Sequence, residues 1–197
     1  VSSLNNKQEL REKILAKRKS FDSVLVEESS RIISNYLINS DLFSQSKVIM
    51  TYLNYPKEVQ TDYIFQAAIK QNKTVTIPVC VKESTDLIPS KITDLNQLAI
   101  GYYGLREPKK EYLNPVDPKL IDLIIVPGVA FDLKGNRIGH GKGYYDTFFK
   151  KISTSAIKIG LAYQFQIIED SWNADSWDVP LDGLITENGF IYLKKIQ

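Results

Sequence analysis

Short apolar runs that alternate with helix-length amphipathic segments predict an α/β protein. The expected architecture is a single-domain, open, mostly parallel sheet with helices on both faces. Three observations carry this reading. Runs rich in β-branched residues recur at intervals: KVIMTYL at 47–53, TVTIPVC at 74–80, Ile121 to Val126 and Ala156 to Ala162. Helical spacing separates them, as in Ile64, Phe65, Ala68 and Ile69. The 197 residues contain no internal repeat and no Pro/Gly/Ser-rich linker, so one domain over 1–197 is expected.

Taking the chain in order, Asn5 or Asn6 can cap a first helix from Lys7 to Lys19, with Leu10, Ile14 and Leu15 as its apolar stripe. Lys7 and Arg11 are four apart and share a face, which by spacing alone also describes a solvated basic surface. Ser23 is the expected cap of a second helix with Val26, Ile32, Ile33, Tyr36 and Leu37 as core positions. The strand at 47–53 ends before Pro56, and Thr61 can cap the next helix. Pro78 inside the strand at 74–80 points to a sheet edge or a strand end. Residues 81–118 carry weak signals: a short strand at Asp86 to Ile92, a helical piece at Thr93 to Leu98 and an aromatic loop at 101–108. After the strand at Ala156 to Ala162, two short strands, Leu181 to Thr186 and Phe190 to Leu193, flank a turn at Glu187-Asn188-Gly189.

Composition narrows the functional classes. Hydrophobic residues at 43% and charged residues at 24% describe an ordinary soluble protein. A net charge of +2 argues against nucleic-acid binding by bulk electrostatics. The lone Cys80 excludes an internal disulfide and a cysteine-rich zinc site, and it suits a reducing cytoplasm. No apolar run approaches the roughly 18 residues of a membrane span, and the polar N-terminus is unlike a secretory signal. The expectation is a soluble, cytoplasmic protein, monomeric, with neither nucleic acid nor membrane as partner.

The chemistry concentrates between Val126 and Phe149, VPGVAFDLKGNRIGHGKGYYDTFF. A buried strand leads through a turn-rich excursion into Gly139-His140-Gly141-Lys142-Gly143, and a helix then starts at Tyr144-Tyr145-Asp146 with Phe148, Phe149 and Ile152 turned inward. Bare backbone before a helix start can approach an anion closely. The loop is not a Walker motif, because Asn136 stands where the first glycine of G-x-x-x-x-G-K-S/T belongs and Gly143 takes the Ser/Thr position. Its G-x-G-x-G spacing is not the dinucleotide fingerprint either. Alternating glycines also serve plain hairpins, but Arg137 and Lys142 can neutralise phosphate oxygens. Asp146 either complements the helix start or holds Mg²⁺. His140, the sole histidine, cannot form a multi-histidine metal site and reads as a loop residue lining the site rather than a general base. Trp172 and Trp177 lie in a polar connecting stretch, either packing it or walling a pocket.

PGVAFDLKGNRIGHGKGYYD resembles the signature of the 5-formyltetrahydrofolate cyclo-ligase family, also called 5,10-methenyltetrahydrofolate synthetases. Further echoes span the chain: Lys7 to Arg11, the region of Glu58, Gly104 to Pro108, and Val179 to Glu187. The resemblance implies an ATP- and Mg²⁺-dependent closure of 5-formyltetrahydrofolate to 5,10-methenyltetrahydrofolate, with ADP and phosphate released. It implies ATP contacts from Lys7, Gln8, Glu9, Leu10 and Arg11 and from Arg137, Ile138, Gly139, His140, Gly141, Lys142, Gly143, Tyr144 and Tyr145. Lys142 becomes the principal catalytic charge. Folate contacts fall to Leu53, Glu58 and Tyr103, together with His140 to Tyr144 of the loop, and Mg²⁺ to Asp146 and Asp182. His140 stands where arginine is expected, which weakens the charge there and leaves the folate side as its alternative place. Tyr103 stands where some relatives have tryptophan. A non-catalytic folate- or nucleotide-binding module on the same scaffold is the rival reading. A sugar-phosphate isomerase, with Glu58 as base, or an acyl-transfer enzyme is a third.

Overall fold

The computed structural model describes residues 3–81, 83–101, 104–169, 172 and 174–193, and the side chains from residue 7 onward. The chain begins with α1 (Ser3–Ser20) and α2 (Ser23–Ile38), followed by a short α3 (Asp41–Gln45) and strand β1 (Val48–Met50). Next come α4 (Asp62–Lys70), β2 (Thr74–Cys80) and β3 (Leu87–Ile92). A hairpin of β4 (Leu98–Ile100) and β5 (Arg106–Pro108) precedes β6 (Leu123–Val126). The remainder comprises β7 (Ala130–Asp132), β8 (Arg137–Ile138), α5 (Tyr144–Phe148), β9 (Ile157–Leu161), β10 (Ile167–Ile168), β11 (Gly183–Thr186) and β12 (Gly189–Tyr192).

The main sheet has seven strands in the order β12-β11-β9-β6-β1-β2-β3. Its neighbours from β11 through β2 pair in parallel, and antiparallel β12 and β3 close the two edges. Alternation along β6 shows how both faces are covered. Leu123 and Ile125 enter a core shared with Ile33 and Leu37 of α2 and Ile64 and Phe65 of α4. Ile124 and Val126 enter the opposite core, with Phe148 of α5. A strand buried on both sides has no polar face to show, hence the unbroken LIIV. The expected open α/β sheet with helices on both faces is therefore the observed fold.

Several local expectations need correction. Asp22, not Ser23, caps α2, its carboxylate accepting from the N–H groups of Val24 and Leu25. Ile32 and Tyr36 are exposed, because the buried face of α2 is completed by Ser29, Ser30 and Ser34, small enough for close packing. Thr61 precedes α4 but does not cap it, since its hydroxyl donates instead to the Tyr52 carbonyl at 2.6 Å. β2 is an interior strand despite Pro78. Pairing with β1 ends at Met50↔Thr76, so Pro78 faces only β3, where it sits opposite Pro89. The short helical piece expected at Thr93 to Leu98 is present, as one 3₁₀ turn, Leu95–Gln97, capped by Asp94.

Candidate active site

The parallel strands deliver their carboxyl ends to one rim of the sheet, where ligands of open α/β folds bind. A cleft of about 900 Å³ opens there. Pieces far apart in sequence line it: α1, the turn after β1, the end of β2, the segment before β7, the glycine loop and residues 175–178.

The glycine loop does not leave β6 directly. β7 and β8 form a hairpin that belongs, with β10, to a separate three-stranded sheet, and this hairpin launches the loop. Asp132 sets the hairpin turn by accepting from the backbone N–H groups of Lys134 and Asn136 and from the Asn136 side chain. Gly141 and Gly143 have φ of 88° and 71°, left-handed values that bear on L side chains but not on glycine. Gly143 occupies the cap position of α5 with no side chain to fill it, so the first N–H groups of that helix receive no side-chain cap.

Positive charge reaches the cleft from two sides. From α1, Arg11 donates to the Gly139 carbonyl at 2.9 Å, fastening helix to loop. Lys7 forms ion pairs with Asp175 at 2.6 Å and Asp178 at 3.0 Å. Burial would lower the pKa of its ammonium, but the bonds to the two carboxylates outweigh that and raise it above the ordinary lysine value. From the loop, Arg137 pairs with Asp146 at 3.1 Å and lies over the Tyr145 ring. Lys142 is exposed and lines the cleft. Among the described residues, the Arg137 Nε and the Tyr145 hydroxyl are buried without a hydrogen-bond partner. Burial pushes the Tyr145 phenol well up, so it stays a donor. Two orphaned donors beside fixed cations suit an acceptor-rich anion.

The opposite wall is built on the turn that follows β1. Lys57 adopts a left-handed φ of 66°, and its ammonium donates to the Phe21 carbonyl and the Ser23 hydroxyl. Glu58, 5% exposed, accepts at Oε2 from the Tyr55 N–H at 2.9 Å. At Oε1 it meets Arg18 and His140, each at 3.3 Å. His140 also packs edge-on against Tyr55, so the sole histidine lies on the Glu58 side of the loop. Leu53 and Tyr52 line the same floor.

Most of the site residues named from sequence thus converge: Lys7, Gln8, Arg11, Leu53, Glu58, Arg137 to Tyr145, and Asp146 all line the cleft. Glu9 is exposed outside it, and Leu10 packs beneath α1 against the β7–β8 hairpin. Tyr103 lies outside the described residues. Asp182 is not brought to the cleft. It stands at the amino end of β11, where its carboxylate accepts from the Lys158 backbone N–H at 2.9 Å and pairs with the Lys158 ammonium at 2.7 Å. The two tryptophans divide, with Trp172 buried in the cluster under α1 and Trp177 at the cleft mouth. Sequence reasoning missed Arg18, Tyr55, Asp175 and Asp178. Arg18 had a signal: Lys7, Arg11 and Arg18 recur at i, i+4 and i+11, which on a helix is one face.

Asp146 is the acidic residue of the glycine segment that fits a magnesium ion. It accepts from Arg137 at one oxygen and from the Val179 N–H at the other, with lone pairs left over. Magnesium needs one or two carboxylates and takes its other ligands from water and phosphate. No group of three or more His, Cys, Asp or Glu able to hold a metal occurs among the described residues, and Asp182 is committed to Lys158.

An open α/β sheet with a cleft at its strand ends, cationic along one wall, belongs to the class of parallel-sheet proteins that bind small molecules at that rim. Known proteins refine this. The profile of the 5-formyltetrahydrofolate cyclo-ligase family matches residues 3–187. A probable 5-formyltetrahydrofolate cyclo-ligase of Caenorhabditis elegans is 38% identical over 170 residues, covering 81% of this chain and 82% of the relative. The 5-formyltetrahydrofolate cyclo-ligase of Haemophilus influenzae is 30% identical over 177 residues, covering 89% and 94%. The solution structure of Aquifex aeolicus 5,10-methenyltetrahydrofolate synthetase superposes with a TM-score of 0.83 at 34% identity, over 96% of this chain and 93% of that one. The chain belongs to the 5-formyltetrahydrofolate cyclo-ligase family, and it is an enzyme rather than a bare binding module.

Proposed function

We propose that this enzyme closes 5-formyltetrahydrofolate to 5,10-methenyltetrahydrofolate at the expense of ATP, with Mg²⁺ accompanying the nucleotide. The carrying observation is the cleft itself, where the cations of α1 and the glycine loop meet the buried carboxylate of Glu58 in one volume of about 900 Å³. That volume is near the top of the range for pockets holding one drug-sized ligand, and it suits two substrates side by side.

The chemistry explains the need for ATP. A formyl group on N5 is an amide, and its oxygen is a poor leaving group. Attack of that oxygen on the γ-phosphorus expels ADP and leaves an iminium phosphate. N10 then adds to the carbon, loses its proton, and the C–O bond breaks to release phosphate. Such a transfer asks the protein mainly for positioning and charge neutralisation. In this reading Lys142 and Arg11 meet phosphate oxygens, and Arg137 and the Tyr145 hydroxyl offer them further donors. Lys7 joins them once it exchanges Asp175 and Asp178 for phosphate. Glu58, Leu53 and His140 receive the folate. When bound, Mg²⁺ would be held by Asp146 and would supply charge neutralisation to the nucleotide. A monomer is part of the proposal, because a single chain lines both walls. So is a cytoplasmic setting, which the lone Cys80 suits.

The test mixes protein, 5-formyltetrahydrofolate, Mg²⁺ and ATP and follows methenyltetrahydrofolate absorbance. Product forming only with ATP, with one ADP per turnover, is the expected result. Turnover without ATP would refute the phosphoryl-transfer route.

A further inference from the structure

The floor of the cleft holds a buried arginine that the folate reading leaves without a role. Arg18 is 6% exposed and lines the cleft beside Glu58, their side chains 3.3 Å apart. Removing two charges from water is costly, and an apolar pair of similar size would fill the same space without that cost. A buried ion pair in a cleft, rather than in the core, points to function.

A purely structural staple is already supplied by other groups. α1 is anchored by Ile14 and Leu10 packing against Val129, Ala130, Ile138 and Trp172, and again by Arg11 on the Gly139 carbonyl. The Glu58 turn is anchored by Lys57 on the Phe21 carbonyl and by its own bond from Tyr55. What Arg18 adds is control of the Glu58 side chain. The Tyr55 N–H fixes Oε2, while Arg18 from the floor and His140 from the half-exposed rim converge on Oε1. Only one of those two partners is buried and permanently charged.

We propose that Arg18 is a positioning residue, holding the Glu58 carboxylate in the orientation that accepts the N–H donors of the folate's pterin ring. This inference rests on the reading that Glu58 contacts the folate. Arg18 itself touches neither substrate in this scheme.

Steady-state kinetics on Arg18→Met, Arg18→Lys, Glu58→Gln and the double variant Arg18→Met/Glu58→Gln test it. Arg18→Met should raise KM for 5-formyltetrahydrofolate about 10- to 100-fold, the scale of a misplaced charge-assisted bond. KM for ATP should stay within about two-fold. Arg18→Lys should recover most of the loss but not all, because an ammonium keeps the charge without the planar fork. The double variant should be no worse than Glu58→Gln, since both act through one carboxylate. A normal folate KM in Arg18→Met beside a raised one in Glu58→Gln overturns this inference alone. Normal values in both also remove Glu58 from folate binding. Equal losses toward both substrates, or additive effects in the double variant, identify a structural staple and overturn the proposal. If Arg18→Met does not fold, Arg18→Lys decides: its folate KM should rise about three- to ten-fold with ATP KM unmoved, and no change overturns the proposal.

Discussion

The glycine loop and the Glu58 turn meet across one cleft and hold their polar groups in opposite ways. On the loop, backbone is bare, Gly141 and Gly143 carry positive φ, and Lys142 is exposed. On the turn, a single carboxylate is buried and receives three protein partners. The difference matches the chemistry proposed for each wall. A polyphosphate spreads its charge over many oxygens, so several cations set around glycine-lined backbone can meet it together. A flat ring presents donors in fixed directions, so the acceptor facing it must itself be fixed. His140, the shared residue, contacts Glu58 rather than extending the cationic wall.

Perturbing the loop wall most should collapse turnover and leave folate affinity nearly intact. Lys142→Ala is expected to lose on the order of 10²–10³-fold in kcat, as when one preorganised stabilising charge is removed, with folate KM little altered. Initial rates with both substrates varied will check this, and near-normal turnover would take Lys142 out of the mechanism. Gly143→Ala is the next largest. Nothing lies within 4 Å of the added methyl, so the whole effect is backbone strain of about 1–2 kcal/mol at a φ of 71°. Calorimetry should show a midpoint lowered by roughly 2–8 °C.

A subtler change concerns the acids that occupy Lys7. Asp178→Asn still accepts from the Asp175 N–H but no longer competes electrostatically for the ammonium. KM for ATP should fall about two- to five-fold, the worth of a partly exposed ion pair. A rise would mean that Asp178 assists the nucleotide instead. The smallest effect is at Cys80, on the cleft wall. Burial, reinforced by Glu107, raises its thiol above the ordinary 9.0, although a bond with Tyr144 opposes this. The protonated form is thus favoured in the folded chain. Its stabilising effect is full below 9.0 and is lost as pH rises through the folded value. Iodoacetamide should label Cys80 more slowly than a free cysteine peptide at pH about 8, with the rate climbing at higher pH than for the peptide. Bound substrates should slow it further.

By itself the sequence determined the layering and the whereabouts of the loop. The unbroken, β-branched LIIV of β6 fits a short strand covered on both faces, and the glycines at 141 and 143 announce backbone that other residues resist. These signals are local, a matter of periodicity and permitted φ. Tertiary structure alone decided what each charge faces. Lys7 met Asp175 and Asp178, Arg18 met Glu58, and Asp182 was claimed by Lys158 at the amino end of β11, away from the cleft lining. Such pairings join residues tens to more than a hundred positions apart, and a charged side chain carries no mark of its partner in its own neighbourhood. Pro78 shows the same limit for the backbone: its missing N–H points to an edge or a strand end, and only the pairing shows that β2 is interior while the strand beside it stops two residues earlier.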